Sequence, residues 1–252
     1  KVEILASTPA LQLVLRDDGL GAAHELSSYP LRHNFADTLR RYREHYHERI
    51  GGQASEHHGE GIASAHDIVR CKQPIDAADL VPDAQPRVLW LDTLDGQPLT
   101  DYRRDAATPL AFLRDGVAKR YAPGDATVTV SWHFRQLAGR RFSTTLNLAM
   151  PSCDGFLGRY VLADGQIPGG FGQALDLPEA SRLRLEDGVL GGALQLEVSA
   201  PLSLRGRPHL CVSQSEAGFE KIMQAVELVL SWTIPDDDCD LHLHLTMESG
   251  AP

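Results

Sequence analysis

Six of the eleven histidines in this 252-residue chain fall between His33 and Asp67, among arginines, glutamates and two tyrosines. Imidazoles at that density suit general acid–base catalysis, metal ligation or polar docking against another surface. Spacing separates these options. His45 and His47 diverge on a helix, because residues two apart do not share a face, and converge only on a strand. His57-His58 lies in a stretch of Gly, Ser and Glu, and no third ligand at a recognisable spacing completes a zinc site. His66-Asp67 has the composition of a base–carboxylate pair, but adjacent residues on a strand point to opposite faces.

Outside the cluster, the candidate chemistry thins out. No serine sits in a GxSxG elbow. Gly169-Gly170-x-Gly172 follows Pro168 and precedes no helical pattern, so it does not cradle phosphate. Asp236, Asp237, Asp238 and Asp240 offer hard oxygen ligands, yet lack the glycine and terminal glutamate of a calcium loop, and read as a solvated turn. His242 and His244 alternate with leucines and belong to the outer face of a strand. Paired carboxylates for glycosidic chemistry must lie about 5–10 Å apart, and among 34 acidic residues a sequence does not show which pair would meet. Of the aromatics able to stack on a sugar ring, Trp132 and Trp232 fall on apolar strand faces. Trp90, in Val88-Leu89-Trp90-Leu91-Asp92, fits either core or contact surface.

The elements that must position these residues are strands. Val128, Val130, Trp132 and Phe134 alternate with Thr127, Thr129, Ser131 and His133. Val226, Leu228, Leu230, Trp232 and Ile234 share one face, as do Leu241, Leu243 and Leu245. Further strands are expected over 11–16, 88–92, 142–149, 182–186, 193–199 and 209–213. Asp17-Asp18-Gly19, Asp95-Gly96, Pro123-Gly124-Asp125 and Asp187-Gly188 mark turns between them. No βα alternation supports a parallel doubly wound sheet. The expectation is an all-β fold, a large antiparallel β-sandwich forming a single domain over residues 1–252. One segment breaks the pattern. Phe35, Leu39, Tyr42, Tyr46 and Ile50 recur at steps of four, three, four and four, with Asn34 as N-cap and Gly51-Gly52 as stop, predicting a helix of about four turns, or a partly irregular excursion, over 34–50.

Composition excludes some function classes. A net charge of −10 argues against nucleic acid, whose footprint is a basic face. No apolar run approaches the roughly 20 residues of a membrane span, and no secretory signal is present. Cys71, Cys153, Cys211 and Cys239 form no CxxC pair or disulfide framework, so buried thiols in a cytoplasmic setting are expected. The chain opens on Lys1 within a strand-like pattern, as an excised or processed domain would.

Four blocks carry a family resemblance: HELSSYPLRHNFADTLRRYREHYH at His24–His47, GIASAHD at Gly61–Asp67, TTLNLAMPSCDG at Thr144–Gly155, and VSQSEAGFEKIMQAVELVLSW at Val212–Trp232. Together, over about Leu11 to Leu245, the chain resembles the C-terminal β-sandwich domain of glycoside hydrolase family 57, which includes α-amylases and 4-α-glucanotransferases. The resemblance implies a supersandwich of the galactose-mutarotase-like type beside a catalytic (β/α)7 barrel. The catalytic carboxylates of that family lie in the barrel, to which nothing here corresponds. It therefore implies a noncatalytic module whose partners are the barrel of the same protein and an α-glucan or maltooligosaccharide; no cofactor is expected, and ligand spacing already argues against a metal site. Arg41, Arg43, Glu44, Tyr46, His47, His66, Asp67 and Trp90 become candidates for a domain interface or a glucan contact. The alternatives are an independent aldose epimerase, pairing His66 or His133 with Glu197 or Glu227, and a freestanding carbohydrate-binding module.

Overall fold

The structure, a computed structural model, describes residues 2–52, 71–153, 156–215 and 218–250. The alternating pattern is realised directly. In Thr127–Arg135, Val128, Val130, Trp132 and Phe134 are all fully buried, and the intervening residues are not. Each large side chain withdrawn from water contributes about 1.5–3 kcal/mol, enough for period two to dictate register.

Seventeen strands among the described residues join through one antiparallel hydrogen-bond network. The network folds over on itself because one long strand, Gly192–Ser215, changes partners along its length. Its first part, Gly192 to Val198, pairs with Asp238–Ser249, which pairs in turn with Thr127–Arg135 and, through that strand, with Val117–Pro123. Its second part, Ser203 to Ser215, pairs with Gly218–Thr233, which leads to Arg141–Leu148 and then Leu89–Leu94. A strand that switches layers is the usual corner of a sandwich. The two inner faces meet in an aromatic seam: Phe142 of one layer lies 4.9 Å from Phe134 and 5.4 Å from Trp132 of the other, ring centre to ring centre. The antiparallel β-sandwich expected from periodicity is the fold observed. Trp132 is core as expected, while Trp232 is only partly buried against it.

The predicted helix over 34–50 is not formed. His33–Asn34 is a two-residue strand, and helix is confined to His47–Gly52. The reason is tertiary. Phe35 donates its N–H to Leu26 O at 2.8 Å and accepts at its own carbonyl from Ala149 N–H at 2.9 Å. With its ring fully buried, Phe35 is held by two strands, and a helix would forfeit both bonds. Asn34 still caps: its Oδ1 accepts from Leu26 N–H at 3.2 Å and Ala36 N–H at 3.0 Å, closing a turn. Of the five stripe residues, Phe35 enters the core while Leu39 and Tyr42 are each 59% exposed.

Register also explains Trp90. Opposite Thr145 and Leu146 stand Leu91 and Leu89, so Trp90 is the extra residue of a bulge, with φ of 61°. Leu89 and Trp90 therefore both turn inward. Beneath them lies a buried charge. Val117, Lys119 and Tyr121 share the inner face of their strand. Lys119 Nζ sits 2.9 Å from Asp92 Oδ2 and 2.6 Å from Trp90 O, with neither Lys119 nor Asp92 exposed at the side chain. Asp92 Oδ2 also accepts from Tyr102 Oη and Trp132 Nε1, each at 2.9 Å. None of the four cysteines is in a disulfide. Only Cys153 is buried; Cys71 is exposed and the others are intermediate, so the expectation of buried thiols holds for one.

Candidate functional site

The segment after Asn34 crosses the sheet as irregular backbone, fastened by contacts distant in sequence. Thr38 Oγ1 donates to Arg87 O at 2.8 Å, and Arg40 donates twice to Asp83 O. Arg41 N–H donates to Asp83 Oδ2 at 2.7 Å, and the Arg41 carbonyl accepts from Asp83 N–H at 3.0 Å. The Arg41 guanidinium reaches Asp83 Oδ1 through both Nε and Nη2. On the opposite side, Arg87 Nη2 donates to the same Oδ1 at 2.7 Å, while its Nη1 holds Asn147 Oδ1 at 2.9 Å and Glu227 Oε2. Burial alone would raise the Asp83 pKa; hydrogen bonds from Arg87 and Arg41 outweigh it and hold the carboxyl well below its ordinary range.

Two cavities flank this bridge. One, of about 270 Å³, has Arg41, Glu44, Tyr46 and His47 on one wall and Cys211 and Gln224 on the other. The second, of about 250 Å³, includes Asp83 and Arg87. In the first, Tyr46 Oη donates to Val212 O at 2.9 Å, and its ring stacks on Phe219 at 5.9 Å. Burial, then the nearby Glu44 charge, pushes the Tyr46 pKa up. His47 Nδ1 accepts from Glu44 N–H at 3.2 Å. Arg43 pairs with Glu48 in full solvent, where such a pair contributes little.

The structure thus brings Arg41, Glu44, Tyr46 and His47 together and leaves Arg43 at the rim. His66 and Asp67 lie outside the described residues. Trp90 is fully buried in the bulge, edge-on to Tyr121 at 5.6 Å, and as folded presents no surface to a sugar or a neighbouring domain. Sequence reasoning missed Asp83, Arg87, Asn147 and His209. Their partners lie between 4 and 170 positions away, with no local motif to mark them.

Cys211, His209 and Asp83 superficially suggest a nucleophile with a base. His209 Nε2 is 3.6 Å from Cys211 Sγ and 3.8 Å from Asp83 Oδ2. That nitrogen is also 3.0 Å from Leu39 O, which can only accept, so Nε2 carries the proton and cannot take one from the thiol. Burial, then Asp83, raises the Cys211 pKa, and burial, then Arg87, lowers that of His209. The trio is a structural contact. Of the epimerase pairs, those with His66 lie outside the described residues, and those with His133 fare no better. His133 faces Asp240 at 3.0 Å, Glu197 is bound by Arg182, and Glu227 is bound by Arg87. Among the described residues, no group of three or more His, Cys, Asp or Glu side chains is placed to hold a metal ion, and no helix is long and apolar enough to cross a membrane.

Comparison with known proteins adds three findings. Residues 1–245 match the family described as alpha-amylase/4-alpha-glucanotransferase, C-terminal. A 4-alpha-glucanotransferase from Thermococcus kodakarensis is 28% identical over 241 residues, covering 85% of this chain and 34% of the relative. An alpha-amylase from Pyrococcus abyssi is 25% identical over 247 residues, covering 92% and 37%. The crystal structure of 4-alpha-glucanotransferase from Thermococcus litoralis superposes with a TM-score of 0.67 at 18% identity, covering 98% of this chain and 39% of that one, a likeness of fold. The chain spans about a third of the length of the curated relatives it matches.

Proposed function

The chain belongs to the alpha-amylase/4-alpha-glucanotransferase C-terminal family, and from that membership we propose that it is a noncatalytic accessory domain of an enzyme that hydrolyses or transfers α-1,4-glucans. The observation that carries the reading is coverage: a C-terminal family accounts for residues 1–245, and the whole match occupies only about a third of each curated relative. The remaining length of such a protein would hold the catalytic barrel, and its substrate would be an α-glucan or maltooligosaccharide, handled in the cytoplasm.

Local chemistry supports this. A glycosidic general acid needs a carboxyl kept protonated by apolar surroundings. In the two cavities beside the bridge, Asp83 is clamped by two guanidiniums, Glu227 by Arg87, Asp92 by Lys119 and Asp79 by Lys221. These carboxylates are tied up as counter-ions. Leu39 and Tyr42 stand exposed on a segment whose backbone is firmly fastened, an arrangement suited to docking on a neighbouring domain. Arg41, Arg43, Glu44, Tyr46 and His47 would supply the polar contacts around them.

The test is turnover. Purified chain incubated with maltoheptaose is expected to release no shorter or longer oligosaccharides, whereas protein carrying the upstream catalytic region does so. Robust turnover by the chain alone, abolished by substituting one of its own carboxylates, would overturn the proposal.

A further inference from the structure

We propose that the cavity beside Arg87 is a subsite for one glucosyl ring of an α-glucan; this rests on the accessory-domain reading and assigns that domain a direct substrate contact. The floor of the cavity is the outward face of the second layer. Leu91 stands opposite Thr145 and Asn147 opposite Glu227 in register, so these four side chains share a face across three strands, joined by Thr93. The segment Gln85–Arg87 forms a wall, and Leu20, Pro98 and Leu99 complete an apolar side.

Three properties select the ligand. First, charge cancels: of the lining carboxylates, Asp83 and Glu227 are matched by Arg41 and Arg87, and Asp92 by Lys119. A phosphate or a cation would gain no net attraction, while a neutral polyol sacrifices none. Second, hydrogen-bonding capacity is left over. Glu227 Oε1, the Thr93 and Thr145 hydroxyls and the Gln85 amide have no partner among the described residues, although Arg87 and Asn147 beside them are fixed. Planar amide and carboxylate groups held rigidly suit the vicinal hydroxyls of a hexose, and the leucine and proline wall suits its C–H edges. Third, the volume of about 250 Å³ lies below the roughly 300–1,000 Å³ of sites for drug-sized ligands, which fits one ring and not a chain. The preorganisation is built by Asp83, which fixes Arg87 from behind at 2.7 Å.

The probe is maltotriose, titrated into this chain and followed by calorimetry and by amide NMR shifts. Binding is expected, with shifts centred on Thr93, Thr145 and Asn147. Thr145→Trp, which fills the cavity from an outward-facing position, should abolish it without altering the unfolding midpoint. Gln85→Ala, which removes a side chain bonded to nothing in the described residues, should weaken binding about three- to tenfold, the effect of one neutral hydrogen bond. Undiminished binding in Thr145→Trp would place the glucan contact elsewhere and overturn the subsite. Equal displacement by inorganic phosphate would overturn it too, as an anion site. Absence of any maltotriose binding would overturn the subsite while leaving the accessory role standing, because that role fails only if the chain itself turns over maltoheptaose.

Discussion

Arg41 and Arg87 donate to the same oxygen, Asp83 Oδ1, at 2.8 Å and 2.7 Å. One arginine belongs to the segment that crosses the sheet and the other to the wall of the neighbouring cavity, so a single carboxylate joins the two. Its side chain is only 6% exposed. Removing one partner of a buried ion pair costs about 3–5 kcal/mol, because the remaining charge stays desolvated. Asp83→Asn is expected to lower stability by about 3 kcal/mol or more, measured by urea unfolding at neutral pH. A loss below about 1 kcal/mol would mean that water, not Asp83, neutralises the two guanidiniums.

The same bridge makes stability depend on pH in a defined direction. The Asp83 pKa is depressed, so its contribution is complete above the unfolded carboxylate value near 4 and is lost as pH falls through the lower folded value. His209 acts with the same sign in a higher window. Burial and Arg87 lower its pKa, so the unfolded chain takes up a proton first, and stability declines as pH drops below about 6.5. In His209→Gln, whose amide can still donate to Leu39 O, the urea midpoint should become flatter just below pH 6.5, with the decline below pH 4 retained. An unchanged profile in that variant would show that His209 titrates alike in both states.

Tyr46 ties the start of the short helix to the edge of the sheet through Val212 O. Tyr46→Phe keeps the stacking on Phe219 and removes one neutral hydrogen bond, a cost of about 0.5–1.5 kcal/mol. Hydrogen exchange should quicken at amides between Thr38 and Glu48 and remain unaltered in Thr127–Arg135. Equal acceleration in both would show that the bond supports the whole sandwich and not the crossing segment.

Strands were legible in the sequence where one face is buried and period two is unbroken, as in Thr127–Arg135 and Asp238–Ser249. The expected segments 193–199 and 209–213 proved to be parts of one 24-residue strand, because a strand that switches layers loses its alternation at the corner. The steps of four and three through Phe35, Leu39 and Tyr42 imitate a helix. Leu26, Ala149 and Asp83 bond the backbone there, and those partners are invisible to local periodicity. The site was half legible. Arg41, Glu44, Tyr46 and His47 do gather, but Asp83 and Arg87, which organise the place, sit in an unpatterned stretch rich in proline and alanine. Lys119 had a readable signal: a lysine between Val117 and Tyr121 on an inward face must carry a buried counter-charge.

That counter-charge gives the sharpest test of the core. Lys119 and Asp92 are wholly buried, and Lys119 Nζ lies 5.4 to 5.7 Å from the ring centres of Tyr121, Trp132 and Tyr102. Burial, its largest influence, lowers the Lys119 pKa, and Asp92 opposes the change. Lys119→Met strands a carboxylate whose remaining donors are Tyr102 and Trp132, and about 3–5 kcal/mol should be lost. Asp92→Asn strands the ammonium at similar cost. With both replaced, neither charge remains and the aromatic box can close on methionine, so the double variant should lie well above the sum of the two losses. Urea unfolding of the four proteins gives the coupling directly. Strict additivity would show that the two groups do not stabilise one another and that the aromatic rings alone hold the ammonium.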